Sequence, residues 1–342
     1  MTAWKQLGMC LLAAATIMGS SVVAPAMAQE QLTKVTFSLD FIPLGRHAAW
    51  YAALGEGYFA EVGLDVEIIP AQGTAQVMQA IASDTAQLGF VDLPGVILAQ
   101  AAGNDIKMVA VNYQKAPYAI FSLANGANVT EPAQLEGLTI GSGAGSITPQ
   151  VIQGYMKQQG LDPQTLQVAN VAPPARASAL LSGQVPAIEF FVMSKPGLEK
   201  GATEAGTELN TFLLADHGLE LYSNGIGATG AFIEANPDVV RKFVHAALRG
   251  WKFTLDNPEA AADHELKYVD GLDKTAILAE IEIVRGLVVT DDTTANGLGW
   301  FDAGKMETGL AFVLDNVGVT GTAPQASAIF ATGFLPEDAI KP

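Results

Sequence analysis

The stretch LDFIPLGRHAAWYAALGEGYFAEVGLDV, residues 39–66, decides the fold of this protein. The chain enters it through Lys34–Asp40, an alternating β-rich segment that is typical of a strand. Arg46–Glu61 has a helical pattern that ends at Gly63, and Asp65–Pro70 returns as a second strand. Strands that alternate with helices in this way predict a mostly parallel sheet with helices on both faces.

The same alternation continues beyond residue 70 and then starts again in a second set of elements. Predicted strands end near Val91 and Asn112 in the first set, and near Gly141, Val171 and Val192 in the second. We therefore predict an α/β fold of two lobes, each a mostly parallel sheet flanked by helices. The remainder, from residue 237 onward, is mainly helical in pattern.

The predicted lobes are discontinuous in sequence. Residues 29–118 and 222–342, with the C-terminal helices, form the first lobe, and residues 119–221 form the second. The chain would pass between the lobes twice, so the two crossings make a hinge with a cleft beside it. Closure of such lobes around a ligand is the motion expected of this design.

Residues 1–28 have the order of a cleaved secretory signal peptide. Lys5 precedes the apolar stretch Leu7–Ser20, which is shorter than the roughly 20 residues that span a bilayer. Ala26-Met27-Ala28 then supplies the small-x-small cleavage pattern. We expect an exported, periplasmic protein; a retained membrane anchor is the alternative.

Charge and cysteine content exclude several classes of function. A formal net charge of −17 disfavours nucleic acid and anionic membranes as partners. The one cysteine, Cys10, lies in the predicted leader, so the mature chain has no thiol nucleophile or disulfide. His264-Glu265 lacks the second histidine of a zinc helix, and we expect neither a metal nor a cofactor.

Several segments together resemble the periplasmic solute-binding proteins of ABC importers, in the group for sulfonates, nitrate, taurine and thiamine-pyrimidine precursors. Besides residues 39–66, they are QLGFVDLP (87–94), LEGLTIG (135–141), ALLSGQVP (179–186) and NPDVVRKFVHAALRGW (236–251). The resemblance implies the two-lobed type II periplasmic binding protein fold, no enzymatic activity and no cofactor. It also implies a monomer that serves a membrane permease and its ATPase.

Within that group, Leu39-Asp40 with Pro43 and His47 is most similar to the pyrimidine-precursor branch, although Leu44-Gly45 replaces its usual turn residues. The resemblance thus implies an amino-pyrimidine or related heteroaromatic ligand. Two alternatives stay open. One is a sulfonate, nitrate or aromatic acid held through Arg46 or Arg176, and the other is an exported enzyme that uses Asp40 and His47 as an acid–base pair.

Ligands of open α/β sheets bind beyond the carboxyl ends of strands, and this rule selects the candidate residues. In the first lobe it selects polar groups and aromatic side chains after each predicted strand; they are Asp40, Phe41, His47, Tyr51, Gln72, Gly73, Thr74, Asp92 and Leu93. The competing interpretation is structural. Asp40, Thr74 and Asp92 would cap helices or turns, and Tyr51 would pack in the core.

In the second lobe the loop GSGAGSIT, residues 141–148, joins a strand to a helix, and Gly143 and Ser146 suit close approach to a ligand. Glu189-Phe190 ends a later strand. A glutamate in so apolar a run needs a partner, either a ligand amino group or Arg176 or Lys195. Tyr113 near the first crossing is a further candidate; with Tyr118 and Tyr222 it can equally be hinge packing.

Overall fold

Ten strands form the framework of the computed structural model, which describes residues 32–342; the predicted signal peptide lies outside this range. The strands are β1 (Thr33–Ser38), β2 (Leu64–Ile69), β3 (Leu88–Asp92), β4 (Ile106–Val111), β5 (Tyr118–Leu123), β6 (Thr139–Ser142), β7 (Gln167–Asn170), β8 (Ala187–Phe191), β9 (Leu209–Leu213) and β10 (Asn224–Thr229). They form two five-stranded sheets, ordered β2-β1-β3-β10-β4 and β7-β6-β8-β5-β9.

Each sheet is mixed, because one of its five strands is antiparallel to the others. Four strands of each sheet share one direction, whereas β10 in the first and β5 in the second run against their neighbours. Both exceptions are the strands that follow a crossing from the other lobe. Asn224 at the start of β10 pairs with Asp92 at the end of β3, and Tyr118 at the start of β5 pairs with Phe191 at the end of β8. The chain therefore enters each sheet at the edge where the other strands end.

Helices cover both sheets. They are α1 (Ala48–Gly55), α2 (Tyr58–Glu61), α3 (Thr74–Ala82), α4 (Leu93–Ala101), α5 (Thr148–Gln158), α6 (Arg176–Leu181), α7 (Lys195–Glu204), α8 (Gly230–Ala235), α9 (Pro237–Asp256), α10 (Pro258–Tyr268), α11 (Lys274–Val288), α12 (Asp291–Asn296), α13 (Ala303–Phe312) and α14 (Ala326–Ile329). None of these helices combines the length and apolar character needed to cross a membrane.

The predicted helix over residues 46–61 is divided in two. Gly57 adopts a left-handed conformation with φ of 77°, which ends α1 and lets the chain turn into α2. Trp50 of α1 is fully buried, with its ring 4.6 Å from Phe37 and 5.4 Å from Trp251 between ring centroids. The aromatic residues of this helix therefore build the core of the first lobe, as their helical spacing indicates.

Two connections, residues 112–117 and 214–223, carry the chain between the sheets. Elements near the C-terminus also contact the second lobe. Helix α11 packs against α7, and the turn Val313–Val317 packs against α5. The C-terminal part of the chain therefore contacts both lobes.

The crossing of α1 and α9 depends on Gly250. A Cβ atom at this position would lie 2.4 Å from the carbonyl oxygen of Ala49 and 2.5 Å from the Ala53 Cβ. We expect Gly250→Ala to lower the free energy of unfolding by about 1–3 kcal/mol, because overpacking forces the two helices apart. Gly286→Ala is the control, since its Cβ meets nothing within 4 Å. Urea unfolding should show the control unchanged or slightly stabilised; equal effects of both substitutions would contradict the packing argument.

Candidate ligand site

A cavity lies between the lobes, where the ends of their strands face each other. It contains about 430 Å³ that protein atoms do not fill, part of it open to solvent. The residues in its wall are Asp40, Phe41, Leu44, Arg46, Gly73 and Thr74 from the first lobe, and Ser146, Ile147, Thr148, Arg176, Glu189, Phe190, Phe191 and Ser194 from the second. Both lobes therefore contribute charged, hydroxyl and aromatic side chains to one space.

The first lobe contributes a buried ion pair. Asp40 follows β1, and its Oδ2 lies 2.9 Å from Arg46 Nη1 and accepts a 3.2 Å hydrogen bond from Asn224 Nδ2. Its Oδ1 lies 2.9 Å from His47 Nε2. Because the Leu44 N–H donates to His47 Nδ1 at 3.1 Å, a neutral ring carries its proton on Nε2 and donates it to Asp40. Both nitrogens of His47 are thus engaged by the protein.

The charges of this cluster follow from burial and proximity. Burial alone raises the pKa of Asp40, but the Arg46 guanidinium and the hydrogen bond from His47 outweigh it, and the pKa lies below its usual value. Burial and the Arg46 charge lower the pKa of His47 to about 4. At neutral pH the cluster therefore holds one anion, one cation and an uncharged imidazole.

The second lobe contributes a corresponding pair, Glu189 and Arg176. Glu189 Oε1 lies 2.8 Å from Arg176 Nη1 and accepts hydrogen bonds from Ser142 at 2.7 Å and Ser146 at 3.0 Å. The Thr148 hydroxyl also interacts with this carboxylate. Of the two ion-pair partners predicted for Glu189, Arg176 is therefore the one observed. Burial raises the pKa of Glu189, which the Arg176 charge only partly offsets.

Three phenylalanines form the aromatic part of the wall. The rings of Phe41 and Phe190 meet edge to face, with centroids 6.0 Å apart, although they belong to different lobes. The Arg46 guanidinium lies 4.8 Å from the centroid of Phe191, and that of Arg176 lies 5.0 Å from the centroid of Phe190. Each arginine is thus held by a carboxylate and by an aromatic face.

The loops before α3 and α5 bring the lobes into direct contact. The Ala75 N–H donates to the Gly145 carbonyl at 3.1 Å, a backbone hydrogen bond across the cleft. Thr74 donates its hydroxyl proton to Asp92 Oδ2 at 2.5 Å, and Asp92 Oδ1 accepts the Gly95 N–H at 2.6 Å. Asp92 therefore caps α4, as the structural interpretation predicts. It also fixes the orientation of the Thr74 hydroxyl by accepting its proton.

The remaining predicted site residues lie outside the cavity wall. Tyr51 stacks on Tyr268, and buried Tyr113 packs on Phe90 and Trp251. The others are placed as follows: Gln72 is exposed, Leu93 packs near Gly309, Gly143 lies against Arg176, and His47 lies behind Asp40.

Sequence reasoning missed four wall residues and did not assign Thr148 individually. Leu44, Ile147, Phe191 and Ser194 lie in or beside the chosen loops, so proximity to a strand end was the only signal available for them. Phe191 joins Phe190 in the wall because β8 ends there and the chain turns into residues 192–194. Strict alternation of faces does not continue past the end of a strand.

Two buried glutamates lie behind Arg46. Glu280 Oε2 accepts the Arg46 N–H at 3.0 Å. Glu265 is fully buried, and neither of its oxygens has a hydrogen-bond partner among the described residues. Burial raises the pKa of Glu280 to about 7, and burial with the Glu280 charge raises that of Glu265 to about 9. The folded protein therefore keeps a proton on Glu265 at neutral pH.

This proton predicts how stability depends on pH. Between the ordinary glutamate pKa and about 9, the folded state holds a proton that the unfolded state releases, so stability falls as pH rises. We expect Glu265→Gln to flatten this decline and to be at least about 1 kcal/mol more stable, relative to wild type, at pH 9 than at pH 5. Urea unfolding at pH 5, 7 and 9 measures it, with exposed Glu282→Gln as control. A parallel decline in wild type and Glu265→Gln would refute the assignment.

Two α/β lobes that enclose a cavity at their strand ends define the architecture of a two-lobed solute-binding protein. The family model described as NMT1/THI5 like matches residues 45–261, and the chain belongs to this family. The family resemblance and the two-lobed α/β fold predicted from sequence are thereby confirmed.

The similar proteins include both binding proteins and enzymes. The chain is 29% identical over 325 residues to the riboflavin-binding protein RibY of Chloroflexus aurantiacus, covering 92% of this chain and 89% of the relative. It is 28% identical to the formylaminopyrimidine-binding protein of Halalkalibacterium halodurans, covering 73% and 75%. It is 26% identical to a 4-amino-5-hydroxymethyl-2-methylpyrimidine phosphate synthase of Saccharomyces cerevisiae, covering 67% and 69%.

Solved structures share the fold at lower identity. The alkanesulfonate-binding protein SsuA of Xanthomonas axonopodis pv. citri, bound to MOPS, superposes with a TM-score of 0.69 at 14% identity. The match covers 89% of this chain and 99% of SsuA. SsuA of Escherichia coli gives a TM-score of 0.66 at 16% identity, covering 87% and 92%. These matches establish the architecture of the lobes.

Proposed function

We propose that this protein is the periplasmic solute-binding component of an ABC importer and captures a small organic molecule by closing its two lobes. The observation that carries the proposal is the cavity at the strand ends, whose wall takes polar and aromatic side chains from both lobes. Ligand burial at such a junction is the expected use of this geometry. Membership in the NMT1/THI5-like family and the two binding-protein relatives support the same assignment.

The charge balance of the cavity favours an uncharged, flat ligand. Each arginine of the wall already has a carboxylate within 2.9 Å, so the enclosed space carries no net charge at neutral pH. Burying an anion there would leave a charge without a counterion, which is costly. A heteroaromatic ring with an amino group instead offers a face to Phe41 and Phe190 and an N–H to the Glu189 carboxylate. An amino-pyrimidine is therefore our preferred ligand.

One observation supports the alternative ligand class. Arg176 Nη2 is buried and makes no hydrogen bond to any residue between 32 and 342, so it can donate to an oxygen of a sulfonate or carboxylate. Such a ligand would have to compete with Glu189 for the same guanidinium. Glu189 should therefore strengthen the binding of an amino-pyrimidine and weaken the binding of an anion.

This contrast gives a direct test. We expect Glu189→Gln to weaken binding of 4-amino-5-hydroxymethyl-2-methylpyrimidine by about 10- to 100-fold, because a charged acceptor is lost. The same substitution frees Arg176, so an anion binder should gain affinity for MOPS. Isothermal titration calorimetry on the folded variants measures both, with exposed Glu199→Gln as the charge-matched control. Binding of MOPS alone, strengthened by Glu189→Gln, would establish the anion class and reject the pyrimidine.

The proposed partners follow from the importer role. A permease and its ATPase would receive the ligand from a monomeric binding protein in the periplasm, to which the predicted signal peptide of residues 1–28 would direct it. We propose no nucleic-acid partner and no cofactor. The net charge of −17 supports the first of these statements.

The competing proposal is an enzyme that uses Asp40 and His47. Its support is weak, because both His47 nitrogens and both Asp40 oxygens are already engaged by protein groups. A general base needs a free lone pair within reach of the ligand. The observation in its favour is that one similar protein, the yeast synthase, is an enzyme.

We expect the amino-pyrimidine to be recovered unchanged from the protein. Overnight incubation at equimolar concentration, followed by denaturation and mass spectrometry of the released ligand, should return the starting mass in full. Protein-free solution is the control for spontaneous decay. A product formed only with wild-type protein, and lost in Asp40→Asn, would instead favour the enzyme.

A further inference from the structure

A second concave surface adjoins the cavity. This outer groove runs between α3, α4 and the start of α5 and contains about 1040 Å³, part of it open to solvent. Its lining residues are Thr74, Ala75, Met78, Gln79, Ala82, Gly95, Leu98, Ala99, Asn104, Gly145, Ser146, Ile147 and Gln150. None of these residues is charged, although the chain as a whole carries −17.

The cavity and the outer groove share a wall. Thr74, Ser146 and Ile147 line both spaces, and the hydrogen bond from Ala75 to Gly145 joins their loops at the same place, so a group that passes between the two spaces must replace that contact. The two hydroxyl groups already donate their protons, Thr74 to Asp92 and Ser146 to Glu189. Only oxygen lone pairs therefore remain for a ligand, and a group that passes here must donate hydrogen bonds.

The outer groove itself offers amide groups over an apolar floor. The side chains of Gln79, Asn104 and Gln150 are exposed and make no hydrogen bond within the described part of the chain. Met78 and Leu98 lie among them as apolar surface. Amides that donate and accept, with no cation nearby, match hydroxyl groups and disfavour a phosphate or carboxylate.

We propose that the ligand is elongated: its ring occupies the cavity, and an uncharged hydroxylated side chain crosses between Thr74 and Ser146 into the outer groove. This proposal rests on the heteroaromatic ligand class and adds a second subsite to it. The ring supplies the stacking surface that the cavity needs. The side chain supplies the donors that the shared wall needs and the hydroxyl groups that the amides can bind.

Two matched pairs of compounds test the second subsite: cytosine with cytidine, and lumiflavin with riboflavin. In each pair the ring is kept and a hydroxylated chain or sugar is added. We expect calorimetry to give at least about tenfold tighter binding of the hydroxylated member in the pair whose ring the cavity accepts. Cytidine monophosphate should bind no better than cytidine, because the groove has no cation.

Substitutions in the outer groove test whether the added affinity of the hydroxylated compound comes from there. Gln150→Ala combined with Asn104→Ala should lower the affinity ratio between the hydroxylated member and its ring by at least about threefold, since each lost hydrogen bond is worth a few-fold in affinity. Gln158→Ala, on the exposed side of the same helix α5, should leave the ratio unchanged.

The outcomes separate the two proposals. Equal or weaker binding of the hydroxylated member, with the ring still bound, overturns the second subsite and leaves the proposed function standing. An affinity ratio that the double variant does not change also overturns it. If no member of either pair binds, the heteroaromatic class and the second subsite are both rejected.

Discussion

The ion pair between Asp40 and Arg46 is the interaction on which the rest of the site depends. An arginine that is 4% exposed needs a counterion, and Asp40 supplies it from the end of β1. His47 and Asn224 hold the carboxylate, while Glu280 accepts the Arg46 N–H. Removing one partner would leave a buried charge unpaired, so the pair fixes the conformation of the loop between β1 and α1.

The second lobe also pairs a buried arginine with a carboxylate, but other residues hold the carboxylate. Glu189 is held by an arginine and two serine hydroxyls rather than by a histidine and an asparagine. Phe41 lies within 6 Å of both guanidinium groups, one from each lobe. Its ring thus contacts the ion pairs of both lobes. Each pair is neutral by itself, so neither lobe needs the other to balance its charges. Lobe separation therefore exposes the pairs without breaking them.

The sequence was enough to locate the loops of the site, but not to tell which of their residues line the cavity and which are buried behind it. The rule for strand ends found Asp40, Phe41, Thr74, Ser146 and Glu189, because the carboxyl ends of strands meet at one edge. It also selected His47 and Leu93, which face inward because the chain turns sharply into α1 and α4. The direction of β5 and β10 could not be read from sequence, since it depends on which edge the chain reaches after each crossing.

The contact between Ala75 and Gly145 has an evolutionary consequence. It joins main-chain atoms, so it does not depend on the side chains that select the ligand. Substitutions in the wall of the cavity therefore need not remove this contact between the lobes. A main-chain contact of this kind can be kept while the residues that select the ligand change, and the two binding-protein relatives are named for ligands as different in size as riboflavin and a formylaminopyrimidine.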